Sequence, residues 1–428
     1  MSTNDTIQPL YVGIDVGKNV HCYGAYVGVE LTALFEPRTV ATTRSGYHAL
    51  SAWLREQLAS QQYAPIVVGL EPTGVYHEPW THALAQDFGT EIELRWINPS
   101  RTRQKRKQLQ NRPDRKTDPA DAEALAHCLR DGLGRDVGPG PAEIREIWLR
   151  CRRFHVLKRE RQRLVNRLRS QMDQLWPGAL VNVAAFKKAH PEMPPPEPLV
   201  ATRALQRELV QTILGQDPNP YTWQGYTPDE IREVLRAAGA RCGPHTAQRV
   251  WRVAHNAMLL APEVAAILAA YVRSDFTRYQ QLASEIAALQ ARAETLVAAS
   301  AGAGIATVPG LSPFLAAQYV AVVGDITRFE HADQVWALVG FDTCQDDSGD
   351  RRRRGKLTKR GEAWYRAVLY QMGLSASLEC PAVARAKTRA LNRGKSKVAA
   401  TLHAAHKVNR ICFHLYKHNA RFDPARSR

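Results

Sequence analysis

Short apolar runs alternate with amphipathic ones along the first third of the chain. Residues 11–16, 21–27 and 31–35 read as three successive strands. A helix follows at 47–58, a buried strand at 66–70, a helix at 76–85, a strand at 93–97 and a helix at 118–129. Three strands, then helix, strand, helix, strand and helix, is the element order of a ribonuclease-H-like sheet. Other α/β folds share parts of it.

Beyond residue 140 the period changes from two to a mixture of three and four. Ile147, Cys151, Phe154, Val165, Leu168, Met172 and Leu175 lie on one seam, interrupted by Lys158 and Arg161. Tyr279, Leu282, Ile286, Leu289, Ala293 and Leu296 lie on a second. Two such seams fit an antiparallel or intersubunit coiled coil, or two helices of a bundle. Between them the proline-rich stretch at 191–198 breaks any helix, and a small helical insert follows that includes 228–238. From about 305 onward the chain reads as helical and basic. There Val308-Pro309-Gly310-Leu311 resembles the turn of a helix-hairpin-helix, or an ordinary helix turn.

Composition narrows the function. The 428 residues carry 58 Lys and Arg against 41 Asp and Glu, a net charge of +17. Such an excess favours a polyanionic partner, because counterion release from phosphates drives binding regardless of sequence. A membrane surface is the rival partner. However, no apolar run reaches the ~18 residues needed to span a bilayer, and the N-terminus lacks a signal-peptide layout. The seven cysteines are scattered and never form a CxxC pair, the pattern of reduced thiols in a cytosolic protein.

Four acids stand where chemistry could use them. Asp15 interrupts an apolar strand, where an uncompensated carboxylate is costly. Glu71 follows the run 66–70 and would emerge at a strand end. Asp118 and Asp121 lie three apart and so share a helix face. Together they could converge on divalent metal for phosphodiester chemistry. Taken singly, Asp118 could be a helix N-cap ahead of Pro119, and Asp121 and Glu71 could be solvated acids.

Two basic clusters flank these candidates. The stretch 101–116 includes Arg101, Arg103, Lys105, Arg106 and Lys107 and leads into the carboxylate helix. The stretch 351–360 includes Arg351, Arg352, Arg353, Arg354, Lys359 and Arg360. Both are expected to contact phosphates. Ser348, in a loop just before the second cluster, could present its hydroxyl to a phosphate held there, although serine before glycine is also ordinary turn chemistry.

The motifs Gly13-Ile14-Asp15-Val16-Gly17-Lys18, Glu71-Pro72-Thr73-Gly74-Val75-Tyr76, Lys116-Thr117-Asp118-Pro119-Ala120-Asp121-Ala122, Val308-Pro309-Gly310 and Ser348-Gly349 resemble insertion-sequence family one-ten. These are the DEDD transposases, or bridge-RNA-guided recombinases. The resemblance implies a RuvC-like (ribonuclease-H-fold) α/β domain at 1–135. It further implies an all-α coiled-coil linker at 136–300, with its proline-rich insert, and a helical transposase domain at 301–428. It makes Asp15, Glu71, Asp118 and Asp121 ligands of Mg²⁺ (or Mn²⁺), and Ser348 a nucleophile forming a phosphoserine link to DNA. It also implies donor and target double-stranded DNA, a structured noncoding guide RNA, and a homodimer or homotetramer. The expected setting is the bacterial cytoplasm, at the nucleoid. The insert at 178–250 is longer than a plain two-helix linker requires. The residues alone also fit a junction-resolving nuclease using water, or a nucleic-acid-binding protein without catalysis.

Overall fold

The computed structural model describes residues 7–72, 74–109, 117–137, 142–200, 204–343, 346–348, 351–353, 357–359 and 361–427. The chain divides into two compact units, one ending at Ala142 and the other beginning at Glu143.

The first unit is a mixed sheet with helices on both faces. Its elements are β1 (Gln8–Val16), β2 (Val20–Val27), β3 (Thr32–Ala33), β4 (Arg38–Ala41), α1 (Arg44–Ser60) and β5 (Tyr63–Leu70). These are followed by α2 (His77–Phe88), β6 (Glu93–Trp96), α3 (Pro99–Leu109), α4 (Asp118–Arg130) and β7 (Arg135–Asp136). The strand order is β3-β2-β1-β5-β6-β7, with β4 also on β2. β1 pairs antiparallel with β2 and parallel with β5, and β5 pairs parallel with β6. This is the ribonuclease-H-like arrangement that the element order predicts.

Alternation along β1 sorts the two faces. Leu10, Val12, Ile14 and Val16 pack with Leu50, Leu54, Trp80 and Leu84 of α1 and α2. The opposite face, carrying Tyr11, Val67 and Ile97, packs on Leu125, Cys128 and Leu129 of α4. Three elements lie outside the sequence expectation, among them the two-residue β7. β4 is short and has no buried residue. α3 buries only Thr102, so it has no apolar stripe to announce it.

Among the described residues the second unit is helical apart from one small hairpin. It comprises α5 (Ala142–Leu175), α6 (Val183–Ala189), α7 (Glu208–Gln216), α8 (Pro220–Gln224), α9 (Pro228–Ala237), α10 (Pro244–Asn256) and α11 (Pro262–Ala298). After these come α12 (Pro313–Val323), α13 (Ala332–Leu338), β8 (Asp346–Ser348), β9 (Arg351–Arg353), α14 (Ala363–Glu379), α15 (Pro381–Asn392) and α16 (Lys397–Lys417). Its core is continuous from Ile147 to Tyr416.

The two long helices run in opposite directions beside each other. Glu146 pairs with Arg292, Arg153 with Glu285, Glu160 with Arg278 and Arg167 with Asp275, so positions rise along α5 as they fall along α11. The buried seam of α5 passes through Leu157 and Leu164, which the sequence pattern left out. Lys158 is exposed, and Val165 only half-buried. The Gly310 turn is closed against α14: a Cβ there would stand 2.6 Å from the Ser375 carbonyl oxygen.

Candidate active site

The site begins with two glycines. Gly13 on β1 and Gly69 on β5 are directly paired in the parallel register. A Cβ on Gly13 would lie 2.1 Å from the Ala122 carbonyl oxygen and 2.9 Å from Leu125 Cβ. A Cβ on Gly69 would lie 2.8 Å from Leu129 Cδ2. At the Gly13 rung α4 therefore approaches the sheet more closely than a side chain would allow, a role for which glycine is suited, while at Gly69 the Leu129 side chain fills the space.

That approach sets the carboxylates. Asp15, two residues beyond Gly13, belongs to the face that α4 covers, and it is half-buried opposite Cys22 on β2. Glu71 comes directly after Leu70, whose rung with Ile14 is the last of the β1–β5 ladder; it too is half-buried. Asp118 and Asp121 occupy the first turn of α4. The cap position of α4 belongs to Thr117, in extended backbone, so Asp118 is the first helical residue and not the N-cap. Asp118 is exposed, whereas Asp121 is 3% exposed.

Two neighbouring thiols register this charge. Burial pushes the Cys22 thiol up to about 11, with a Thr39 hydrogen bond opposing and the charges of Asp118 and Asp15 adding to the rise. Burial likewise pushes Cys128 to about 11, with Glu71 among the charges that add. The six described cysteines are all free and buried.

α3 packs along α4 and sorts the first basic cluster into two faces. Arg106 pairs with Asp121, and Lys105 with Asp131. Arg101, Arg103 and Lys107 are exposed. Pro99, Ser100, Arg103, Gln104 and Lys107 line an open depression of about 500 Å³. The sequence pattern presents this cluster as one phosphate-binding run and shows neither the helix nor its inward pairs. A local signal for the helix existed in Asn98-Pro99, where the Asn98 side chain accepts from the Ser100 N–H at 2.9 Å. The inward pairs are tertiary and leave no local mark.

Ser348 is the last residue of β8 and stands opposite Arg351 in β9. The base of this hairpin is tied by a bridge between Thr343 and Leu357, and by Thr358 N–H donating to Asp342 O at 3.0 Å. Lys359 is exposed. Arg354 and Arg360 lie outside the described residues, and Arg351, Arg352 and Arg353 are placed by backbone alone. Nearby in sequence, Tyr365 accepts a hydrogen bond from Trp148 Nε1 at 2.9 Å, and burial raises its pKa.

Among the described residues, no group of three or more His, Cys, Asp or Glu side chains stands close enough to hold a metal ion. Asp15, Glu71, Asp118 and Asp121 are all among those residues, so the structure does not gather the four expected ligands, although carboxylate oxygens are the donor type that a hard divalent cation takes. No described helix is long and apolar enough to cross a membrane.

The strand order and the carboxylate face define an α/β domain of ribonuclease-H type, followed by a helical region. Comparison with known proteins is consistent with that class. The family described as "Transposase", of the DEDD IS110 type, matches residues 12–177. The "Transposase IS116/IS110/IS902 family" matches residues 303–407. The two matches, in this order and together spanning more than half of the chain, support its membership of the IS110 transposase family. Among solved structures, RuvC of T. thermophilus in complex with a Holliday junction substrate matches at 17% identity with a TM-score of 0.23, covering 30% of this chain and 99% of that one. That score adds nothing to the fold read from the strand order. No curated protein matches the chain.

Proposed function

We propose that this protein is the transposase of an insertion sequence, cutting and rejoining DNA under the direction of a structured noncoding RNA. The observation that carries the proposal is the contact of α4 with Gly13 and Gly69, which sets Asp118 and Asp121 over the sheet face of Asp15. The two transposase-family matches, over residues 12–177 and 303–407, support it.

Asp15, Glu71, Asp118 and Asp121 would hold Mg²⁺ or Mn²⁺, which when bound supplies Lewis-acid stabilisation of charge at the scissile phosphate. Ser348 is the nucleophile. Its Oγ gives up its proton and bonds to phosphorus as the bond from phosphorus to a deoxyribose oxygen breaks, and that oxygen leaves with a proton. Attack by a free strand hydroxyl then displaces the serine, conserving the phosphodiester without ATP. Arg101, Arg103 and Lys107, with 351–354, Lys359 and Arg360, hold DNA or RNA phosphates. The working form is a homodimer or homotetramer, with α5 and α11 forming the coiled-coil linker, in the bacterial cytoplasm at the nucleoid.

The decisive experiment concerns Ser348. Strand cleavage by the full chain with its RNA should yield a denaturation-resistant protein–DNA adduct. Ser348→Ala should lose both adduct and recombination while still binding nucleic acid. Cleavage without an adduct, undiminished in the alanine variant, would make water the nucleophile, as in a junction-resolving nuclease. An adduct mapped to Tyr365 would remove Ser348 from the reaction, but that hydroxyl is already engaged by Trp148. Recombination unaffected by removal of RNA would exclude the guide.

A further inference from the structure

Positive charge is unevenly spread along the chain. Residues 380–422 carry ten Lys and Arg and no Asp or Glu, in a protein whose net charge is +17. On the long helices arginines find acids: Arg153, Arg278 and Arg292 pair with Glu285, Glu160 and Glu146 between α5 and α11. At the corner between α15 and α16 the cations have no such partners. Arg385, Arg389, Arg393, Lys395 and Lys397 are all exposed, and none is paired with an acid among the described residues. Lys387 of the same helix is instead half-buried and donates to Ser377 Oγ at 3.0 Å. Arg385 and Arg389 are four apart and share one face of α15, away from the buried Ala382, Val383 and Ala390.

The backbone of this corner is fixed from both sides. Where α15 ends, Gly394 N–H donates to Leu391 O at 2.9 Å and Lys395 N–H to Ala390 O at 3.1 Å, with Gly394 in the left-handed region at φ 72°. Where α16 begins, Ser396 Oγ accepts from Ala399 N–H at 3.3 Å. Every residue from Leu391 to Val398 is exposed. Three cations therefore project from a short, well-defined turn, and two more continue along the outer face of α15.

We propose that this corner is a docking surface for the phosphate backbone of duplex DNA, contacted by Arg385, Arg389, Arg393, Lys395 and Lys397. The proposal rests on reading the chain as one that acts on DNA. Like charges gathered without counter-charge repel one another, and a polyanion relieves that repulsion. Each cation that meets a phosphate also releases a condensed counterion, and a turn already fixed in its backbone loses little freedom in docking. A protruding turn suits a duplex, whose strands line the rims of a major groove about 12 Å wide. Arg385 and Arg389, about 6 Å apart along the helix axis, can follow one rim while the turn meets the groove.

Binding of the full chain to a fluorescent DNA duplex, followed by anisotropy over a NaCl series, tests this. The triple variant Arg389→Gln, Arg393→Gln, Lys395→Gln should lower the slope of log affinity against log salt by about 2 to 3 and weaken binding about tenfold at low salt. Its circular dichroism and urea midpoint should stay close to the parent's, because all three side chains are exposed. Arg389→Lys with Arg393→Lys keeps the charge and should keep most of the slope. A second triple variant, Arg153→Gln, Arg278→Gln, Arg292→Gln, removes the same net charge from cations that already have acidic partners, and should leave the slope nearly unchanged. Equal slope changes in the two triple variants would overturn the proposal, because net charge and not the corner would then set the affinity. A parent-like slope in the corner variant would overturn it too, as would a loss seen only with an RNA hairpin as the probe. Absence of salt-dependent duplex binding by the parent would instead remove the reading of the chain as acting on DNA.

Discussion

Gly13 lies so close to Ala122 that a Cβ on it would stand 2.1 Å from the Ala122 carbonyl oxygen. The obstacle is helix backbone, which cannot rotate away. At Gly69 the corresponding obstacle is the end of the Leu129 side chain, at 2.8 Å, which can turn aside.

The two glycines should therefore respond differently to the same change. Gly13→Ala is expected to cost about 3 kcal/mol and abolish strand cleavage, because α4 must lift with its two aspartates. Gly69→Ala should cost about 1 kcal/mol and retain part of the activity. Urea unfolding and cleavage assays would decide the matter; equal losses in the two variants would refute the close-approach argument.

The aspartates of α4 also separate. Asp118 is exposed, so Asp118→Asn should abolish strand exchange with a stability change within about 0.5 kcal/mol. Asp121 is buried against Arg106, and Asp121→Asn leaves that guanidinium without its charge partner. It should lose activity and also about 3 kcal/mol of stability in metal-free buffer. Denaturant midpoints for the two variants in chelator test this, and indistinguishable midpoints would count against the buried pair.

How far the sequence revealed this arrangement depended on whether a feature left a local trace. The β1 and β5 strands, and α4 with its acids, announce themselves through apolar runs and the Asp118–Asp121 spacing. The glycines that seat α4 lay in view, but their reason is a tertiary contact with Ala122 and Leu129. α3 was hidden because a helix that buries only Thr102 has no hydrophobic period to detect. A strict alternation of three and four along α5 passes through Lys158 and Val165 and steps over the buried Leu157 and Leu164. Two consecutive steps of three, from Cys151 through Phe154, bring Leu157 inward, and Leu164 follows one heptad later.

The two faces of α3 should differ in nucleic-acid binding. Arg103 and Lys107 face the open depression, so replacing both with Gln should lower the slope of log affinity against log salt by about 2. Lys105 is held by Asp131, and Lys105→Gln should leave the slope nearly unchanged. Equal slope changes for the two variants, measured by DNA binding over a salt series, would mean that α3 does not sort its charges in this way.

His155 gives the helical unit a defined acid sensitivity. Its ring stacks on Trp364, with centroids 4.8 Å apart, and its Nε2 lies 3.1 Å from Gln318 Nε2. Burial, with Lys158 and Arg159 adding, pushes its pKa from 6.5 down to about 4. The folded state therefore resists a proton that the unfolded chain accepts. The stability associated with the neutral ring is complete above about 6.5 and is lost progressively as pH falls toward 4. Discounted for partial exposure, the loss is about 2 kcal/mol. His155→Phe keeps a ring against Trp364 and cannot take up a proton. It should be less stable than the parent at neutral pH, through loss of the Gln318 contact, yet show a flatter decline in acid. Urea midpoints of the two proteins across this window measure the difference. Parallel declines would assign the acid sensitivity to other groups and leave His155 as packing alone.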